Sequence, residues 1–260
     1  MKIPYWHIDA FTSKPHHGNP AGVCILEKWL NDEIMQNIAF ENNLSETAFI
    51  VKTDCDYEIR WFTPISEIDL CGHATLASGF VIIDIIDPKL NKVVFNSPKY
   101  GELSVEKENN LFQLNFPSLP PQQCETPINI IKVLGKEPIE TLIADDYLVV
   151  YEKEEDLKSF KPDFNAMKKL DARGVIVTSR GNDCDFVSRF FAPKFGINED
   201  PVTGSAHCSL IPYWKDKLQK DTLHAFQLSQ RGGELFCEDQ NKRVIIAGNA
   251  VCYINGTITI

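Results

Sequence analysis

Arg60-Trp61-Phe62-Thr63-Pro64 leads through Glu67 and Asp69 to Cys71-Gly72-His73-Ala74. The chain writes nearly the same line again at Arg189-Phe190-Phe191-Ala192-Pro193, Glu199, Asp200 and Thr203-Gly204-Ser205-Ala206. Each copy is an aromatic β-type run, a proline, an acidic turn and a Gly-polar-Ala step into an apolar helical pattern. The first turn of a helix has backbone N–H groups without intrahelical partners, and the aligned peptide dipoles favour an anion there. Two such starts predict two similar halves, each offering a helix N-terminus to one negatively charged guest.

The pattern extends outward from these stretches. In the first half, Ile3 to Phe11, Ala21 to Leu26, Ala48 to Val51 and Tyr57 to Phe62 read as strands, with Leu44-Ser45-Glu46-Thr47 as a turn. Asn31 is the expected N-cap of a helix running to Glu41, since Ile34, Met35, Ile38 and Ala39 recur at helical spacing. Gly72 to Ile83 is apolar on every side, the mark of a buried helix. Val93 to Ser97, Gly101 to Glu106 and Leu111 to Phe116 are further strands. Phe116-Pro117-Ser118-Leu119-Pro120-Pro121 is stiff and extended, the composition of a linker.

The order then restarts. Tyr147 to Tyr151 is a strand, Asp163 to Leu170 a helix, and Leu170 to Val177 takes the place of Leu44 to Val51. Asp185 to Phe191 is the strand before the acidic turn, and Ser205 to Lys217 is the second buried helix. Phe226 to Ser229, Gly233 to Cys237, Val244 to Ile246, Val251 to Ile254 and Thr257 to Ile260 are the later strands. Many short strands around one central apolar helix, written twice, are the signature of an internal duplication.

Composition bounds the function. A net charge of -10 argues against nucleic acid, because no basic stripe is present to neutralise phosphates. No apolar run approaches the roughly 18 residues that a membrane helix needs. The start, Met1-Lys2-Ile3-Pro4-Tyr5-Trp6, has no signal-peptide organisation. Eight cysteines carry no C-x-x-C pair and no zinc-type spacing, so free thiols in a reducing cytoplasm are the expectation. His16-His17 is the nearest thing to a metal cue, but adjacent residues rarely share one ion; no metal is expected.

Where the halves differ, chemistry is expected. Glu46 sits between Leu44 and Phe49, and its counterpart in the second half is Ala172 or Arg173. A carboxylate in an apolar-walled cleft carries a proton in either direction near neutral pH; a solvated turn glutamate is the plain alternative. His73 follows Gly72 at the first helix start, placed to donate to an enolate-like oxygen or to shuttle a proton. Asp200 orients His73, relays a proton, or caps the second helix; Asp69 stands at the matching place in the first half. Gly72 and Ala74, and Gly204, Ser205 and Ala206, supply N–H groups for a carboxylate, and Asn19 in Gly18-Asn19-Pro20 can point an amide at substrate. Cys71 is a thiol at a helix start, where its pKa is expected to fall; the matching residue, Thr203, is a poor base, so a symmetric two-thiol racemisation is not expected while a one-thiol mechanism stays open.

Taken together, Asp9-Ala10-Phe11, Gly18-Asn19-Pro20-Ala21, Asn43 to Phe49, Arg60 to Pro64, Cys71 to Thr75, Phe191-Ala192-Pro193, Glu199 to Ala206 and Gln230-Arg231-Gly232-Gly233 resemble the PhzF family. These are phenazine-biosynthesis-like isomerases related to diaminopimelate epimerase and proline racemase, and the resemblance covers essentially the whole chain. It implies an α+β fold of two similar lobes, each a β-barrel-like sheet wrapped around a central helix. The expected division is residues 1–117 plus about 250–260, and 118–249, with the active site in the cleft between. It also implies homodimers, no cofactor, and a small carboxylate-bearing substrate isomerised by moving a proton between carbons. Glu46 matches the family's acid/base glutamate, and His73, Asp200 and Ser205 match residues lining its site. Cys71 departs from the phenazine enzyme and falls where the related epimerases carry a catalytic thiol.

Overall fold

A computed structural model describes residues 1–260. They form two compact units, Met1–Asn115 with Ala247–Ile260, and Phe116–Ile246. In the first unit, β1 (Lys2–Ala10) pairs antiparallel with β2 (Asn19–Leu26). α1 (Asp32–Asn42) then crosses over to β3 (Glu46–Lys52), parallel to β2. β4 (Tyr57–Phe62) returns antiparallel, and the short β5 (Glu67–Ile68) hooks back onto it. α2 (Gly72–Phe80), continued by a π-helical stretch over Val81–Ile86, crosses to β6 (Lys92–Ser97), parallel to β4. β7 (Gly101–Glu108) and β8 (Leu111–Pro117) follow as an antiparallel meander.

The second unit repeats this plan. After β9 (Gln122–Gln123) and α3 (Ile128–Leu134), β10 (Glu140–Ile143) pairs antiparallel with β11 (Tyr147–Val150). α4 (Glu154–Ser159) and α5 (Phe164–Met167) cross to β12 (Val175–Arg180), parallel to β11. β13 (Phe186–Ala192) returns antiparallel, and β14 (Ile197–Asp200) hooks onto it. α6 (Gly204–Leu218) crosses to β15 (Thr222–Gln227), parallel to β13, and β16 (Gly233–Asp239) pairs with β15. β17 (Arg243–Gly248) follows; β18 (Ala250–Thr259) belongs to the first unit, where it pairs with β1 along its length.

The central helices explain the wrapping. α2 is buried from His73 through Gly79 and packs on β1, β2, β3, β7 and β18. A helix apolar all round has no solvent face, so strands must cover every side of it. Gly79 permits the closest of these approaches: a Cβ there would lie 2.4 Å from the Val105 side chain of β7. α6 is buried from Ala206 to Trp214 and is held to β12 by Trp214 Nε1 donating to Thr178 Oγ1 at 2.9 Å. Pro212 inside α6 has no N–H for the Cys208 carbonyl, which the Leu119 N–H meets instead at 2.9 Å. The expected linker is thus docked at Ser118 and Leu119 onto the second unit, since the Ser118 N–H also donates to the Lys242 carbonyl at 3.0 Å.

Several local expectations need correction. Glu46 is not in a turn; it opens β3, because the αL residue Asn43 already reverses the chain after α1. Asp163 caps one helical turn, not a helix to Leu170. β15 spans Thr222–Gln227 rather than Phe226 to Ser229, and the last two expected strands are one. α3, α4 and β10 were not anticipated, being short elements without long periodicity.

Candidate functional site

Four of the expected residues converge within the first unit. Asn19 opens β2, Glu46 opens the neighbouring β3, Cys71 stands at the N-cap of α2, and His73 lies in its first turn. All four are buried. Two parallel strands beginning at the same level, with the helix start packed over them, bring together residues far apart in the chain. His73 is the hub. Its Nε2 is 3.1 Å from Glu46 Oε2, its Nδ1 is 3.2 Å from Asn19 Nδ2, and the same Nδ1 is 3.5 Å from Cys71 Sγ. The Nε2–Oε2 contact has the distance of an ion pair but lies off the line of a hydrogen bond, so both buried atoms lack an aligned partner.

The electrostatics follow. Burial pushes the His73 pKa down, but Cys71 and Glu46 outweigh it and hold the imidazole well above its ordinary value. Burial, with the Glu46 charge second, pushes the Cys71 thiol up to about 11. The lowered thiol expected of a helix start is therefore corrected: desolvation exceeds the dipole at a buried N-cap. The helix start itself is open, since the Cys71 side chain makes no cap and the first intrahelical bond is Thr75 N–H to Cys71 O. Gly72, His73 and Ala74 thus keep N–H groups without intrahelical partners.

In the second unit, Asp200, Gly204, Ser205 and Ala206 gather at the start of α6. Asp200 is buried at the end of β14 and accepts from the Thr203 hydroxyl. It does not cap the helix; Thr203 holds the N-cap position, without a side-chain cap bond. Gln227 locks this corner: its Nε2 donates to Asp200 O at 2.8 Å and to Thr203 Oγ1 at 3.1 Å, and its Oε1 accepts from Thr203 N at 2.9 Å. Arg173 forms a bidentate pair with buried Asp146 and reaches Ser205 Oγ at 3.3 Å. Gln227, Arg173 and Asp146, which order the start of α6, were not anticipated. The Arg173-Gly174 step was the available signal, because the first half carries no arginine there.

Strand register corrects the matching of the halves. Phe49 faces Arg60 as Val177 faces Arg189, which puts Gly174, not Ala172 or Arg173, in the place of Glu46. A Cβ on Gly174 would meet the Phe190 ring at 2.5 Å and Asp146 Oδ1 at 3.0 Å. Trp61 faces Ile68 as Phe190 faces Asp200, so Asp200 matches Ile68. Asp69 is not its counterpart; it is exposed and pairs with Lys99 at 2.8 Å.

Ligand-type side chains gather at one place, and it is not His16-His17. One donor atom each from Glu46, Cys71 and His73 lie within 4.8 Å of one another. His16 instead uses its backbone N–H on Asp9, and its ring packs on Tyr253. A hollow of about 680 Å³ in the first unit is lined by Met1, Ile34, Ile38, Ile258 and Ile260, and contains none of the candidate residues. No helix is long and apolar enough to cross a membrane.

Comparison with known proteins agrees in scope with these features. The phenazine biosynthesis-like protein family profile matches residues 8–256. An uncharacterized isomerase of Pseudomonas aeruginosa is 48% identical over 258 residues, covering 99% of each chain. A crystal structure of a phenazine biosynthesis protein, PhzF family, from Enterococcus faecalis superposes with a TM-score of 0.97 at 47% identity over 100% of both chains. A hydroxyproline epimerase from Agrobacterium vitis shares the fold, with a TM-score of 0.64 at 9% identity over 99% of this chain and 92% of the other.

Proposed function

From the premise that the chain belongs to the PhzF family and is a PhzF-like isomerase, we propose that it moves a proton between carbons of a small carboxylate-bearing substrate, with Glu46 as general acid/base and no cofactor. The observation that carries this reading is the Glu46–His73 contact: a buried carboxylate 3.1 Å from an imidazole, neither atom committed to an aligned hydrogen bond. Such a carboxylate is free to take a proton from carbon. The adjacent imidazole, with its raised affinity for protons, stabilises the Glu46 carboxylate before the first transfer and after the second. Asn19 steadies the far edge of the His73 ring rather than serving substrate alone.

In the first unit the N–H groups at Gly72 and Ala74 serve a developing enolate-like charge; in the second, Gly204, Ser205 and Ala206 offer the same kind of donors to a carboxylate. Asp200 is the acid of the second unit's helix start, in a corner fixed by Thr203 and Gln227. The family's homodimeric habit is carried over as part of the same proposal, with sedimentation velocity as its test.

One observation favours a second reading, a one-thiol epimerase or dehydratase: Cys71 Sγ lies 3.5 Å from the His73 imidazole. Against it, a thiol pushed up to about 11 is protonated at neutral pH. Screening amino, hydroxy and cyclic carboxylic acids for solvent-deuterium uptake by NMR finds the substrate class and separates the readings. Glu46→Gln abolishes uptake under the proposal, while Cys71→Ser retains it. Loss with Cys71→Ser alone refutes the glutamate mechanism, and no uptake by any acid leaves a binding protein on the same scaffold.

A further inference from the structure

We infer that Glu46, Cys71 and His73 form a binding site for a thiophilic divalent cation, Zn2+ above all. The inference does not need Glu46 to be the acid/base, and it stands or falls separately from the reaction. A carboxylate oxygen, a thiolate sulfur and an imidazole nitrogen are the three donor types that zinc takes in proteins. Here one atom of each lies within 4.8 Å of the other two, and all three residues are buried. In a tetrahedral site with bonds of roughly 2.0–2.3 Å, neighbouring ligand atoms stand roughly 3.3–3.8 Å apart. The contacts across the His73 ring, 3.1 Å to Glu46 and 3.5 Å to Cys71, are on that scale. Nδ1 faces the thiol and Nε2 the carboxylate, so the ion takes one ring nitrogen and a side-chain rotation brings in the remaining ligand.

Two further facts separate this group from scaffold. Glu46 Oε2 and His73 Nε2 are buried without aligned hydrogen bonds, so neither must break one to ligate. The second unit keeps the same backbone plan but has Gly174, Thr203 and Ser205 at the three positions, with no ligand set. Other buried thiols lack such company: the nearby His207 has its Nδ1 bound to the Thr203 carbonyl, and His224 pairs with Glu234. Three protein ligands leave a fourth position for water. Binding releases the Cys71 thiol proton and the His73 imidazolium proton to solvent, forms the S–metal and N–metal bonds, and occupies Glu46, so the bound ion is a reversible block on any chemistry that Glu46 performs.

Anaerobic titration of the whole chain with CoCl2, and equilibrium dialysis against micromolar ZnCl2, test the site. The expected result is a thiolate-to-cobalt charge-transfer band and one Zn2+ per chain, both lost in Cys71→Ser and both kept in Cys55→Ser, which removes an exposed thiol. Glu46→Gln weakens Zn2+ binding tenfold or more by the loss of a charged ligand, on the order expected for metal sites. It supplies a second reading should Cys71→Ser fold poorly. No band in the native chain, a band that survives Cys71→Ser, or zinc retention unchanged in Glu46→Gln overturns the inference.

Discussion

The start of α2 and the start of α6 are the same piece of architecture put to different uses. In both units an arginine on the strand before the acidic turn grips a glutamate through two bonds, Arg60 to Glu67 and Arg189 to Glu199, at 2.7 and 2.9 Å each. In both, the guanidinium lies over a phenylalanine ring, Phe62 or Phe191. In both, the residue four positions into the helix turns back onto the N-cap carbonyl, Thr75 onto Cys71 and His207 onto Thr203. The frame is therefore common, and the contents are not. The first unit places its acid, Glu46, on β3 and pairs it with a histidine. The second has Gly174 there and carries its acid one strand over, on Asp146, where Arg173 neutralises it. An acid beside an imidazole can exchange protons; an acid clasped by a guanidinium anchors structure, and at Asp146 burial raises the pKa against the opposing pull of Arg173. The comparison teaches that duplication conserved the arginine–glutamate frame and the side-chain tie to each N-cap carbonyl, while the residues placed at the helix starts diverged.

Four experiments break or sharpen this contrast. Glu46→Gln should lower solvent-deuterium exchange by about a thousandfold, with Asp146→Asn close to the native rate; equal losses would erase the distinction between the two acids. Arg189→Met should destabilise more than Arg60→Met in urea unfolding. Each loses a bidentate pair, about 1.5–3 kcal/mol, but Arg189 also leaves the Leu157 and Phe160 carbonyls without their donor, whereas Arg60 releases exposed Asp32. Comparable midpoints would show the frame to be energetically uniform.

His207 sharpens the acid side. Burial holds its pKa down to about 4, so its stabilising contribution is complete above the ordinary histidine value and is lost as pH falls toward 4. Copying the first unit with His207→Thr should flatten the urea midpoint across that window. The native chain loses about 2–3 kcal/mol by about pH 4.5; an unchanged pH profile in the variant assigns the loss elsewhere. Gly79→Ala should cost about 1–3 kcal/mol by pressing on Val105. The matching place in α6, Ile211, already carries a large buried side chain, so thermal unfolding of Ile211→Ala should read instead as a cavity.

Much of this was legible in the chain. The repeated aromatic-Pro-acidic-Gly line located the starts of both central helices within one residue, and Asn31 caps α1 through the bond expected of it, 2.8 Å to the Glu33 N–H. Glu46 was named because it broke the repeat, and His73 for its place directly after Gly72 at the first helix start. What failed was register. Matching Leu170 to Leu44 slid the halves by two residues, which hid Gly174, and matching Asp69 to Asp200 hid Ile68. Helical and strand periodicities fix type and approximate place, but only ladder hydrogen bonds fix which residue faces which. The thiol was misjudged for a related reason: the dipole at Cys71 is local and visible in sequence, whereas its desolvation comes from the strands packed over it.

The chain alone, then, set the duplication and the two buried helices, because these depend on side-chain periodicity and on local helix-end chemistry. Folding alone decided that Asn19, Glu46, Cys71 and His73 share one buried spot, and that Arg173 takes Asp146 rather than solvent. Those pairings join residues from separate strands and helices. Their energies arise from desolvation and distance, which exist only once the sheet has closed around the helix.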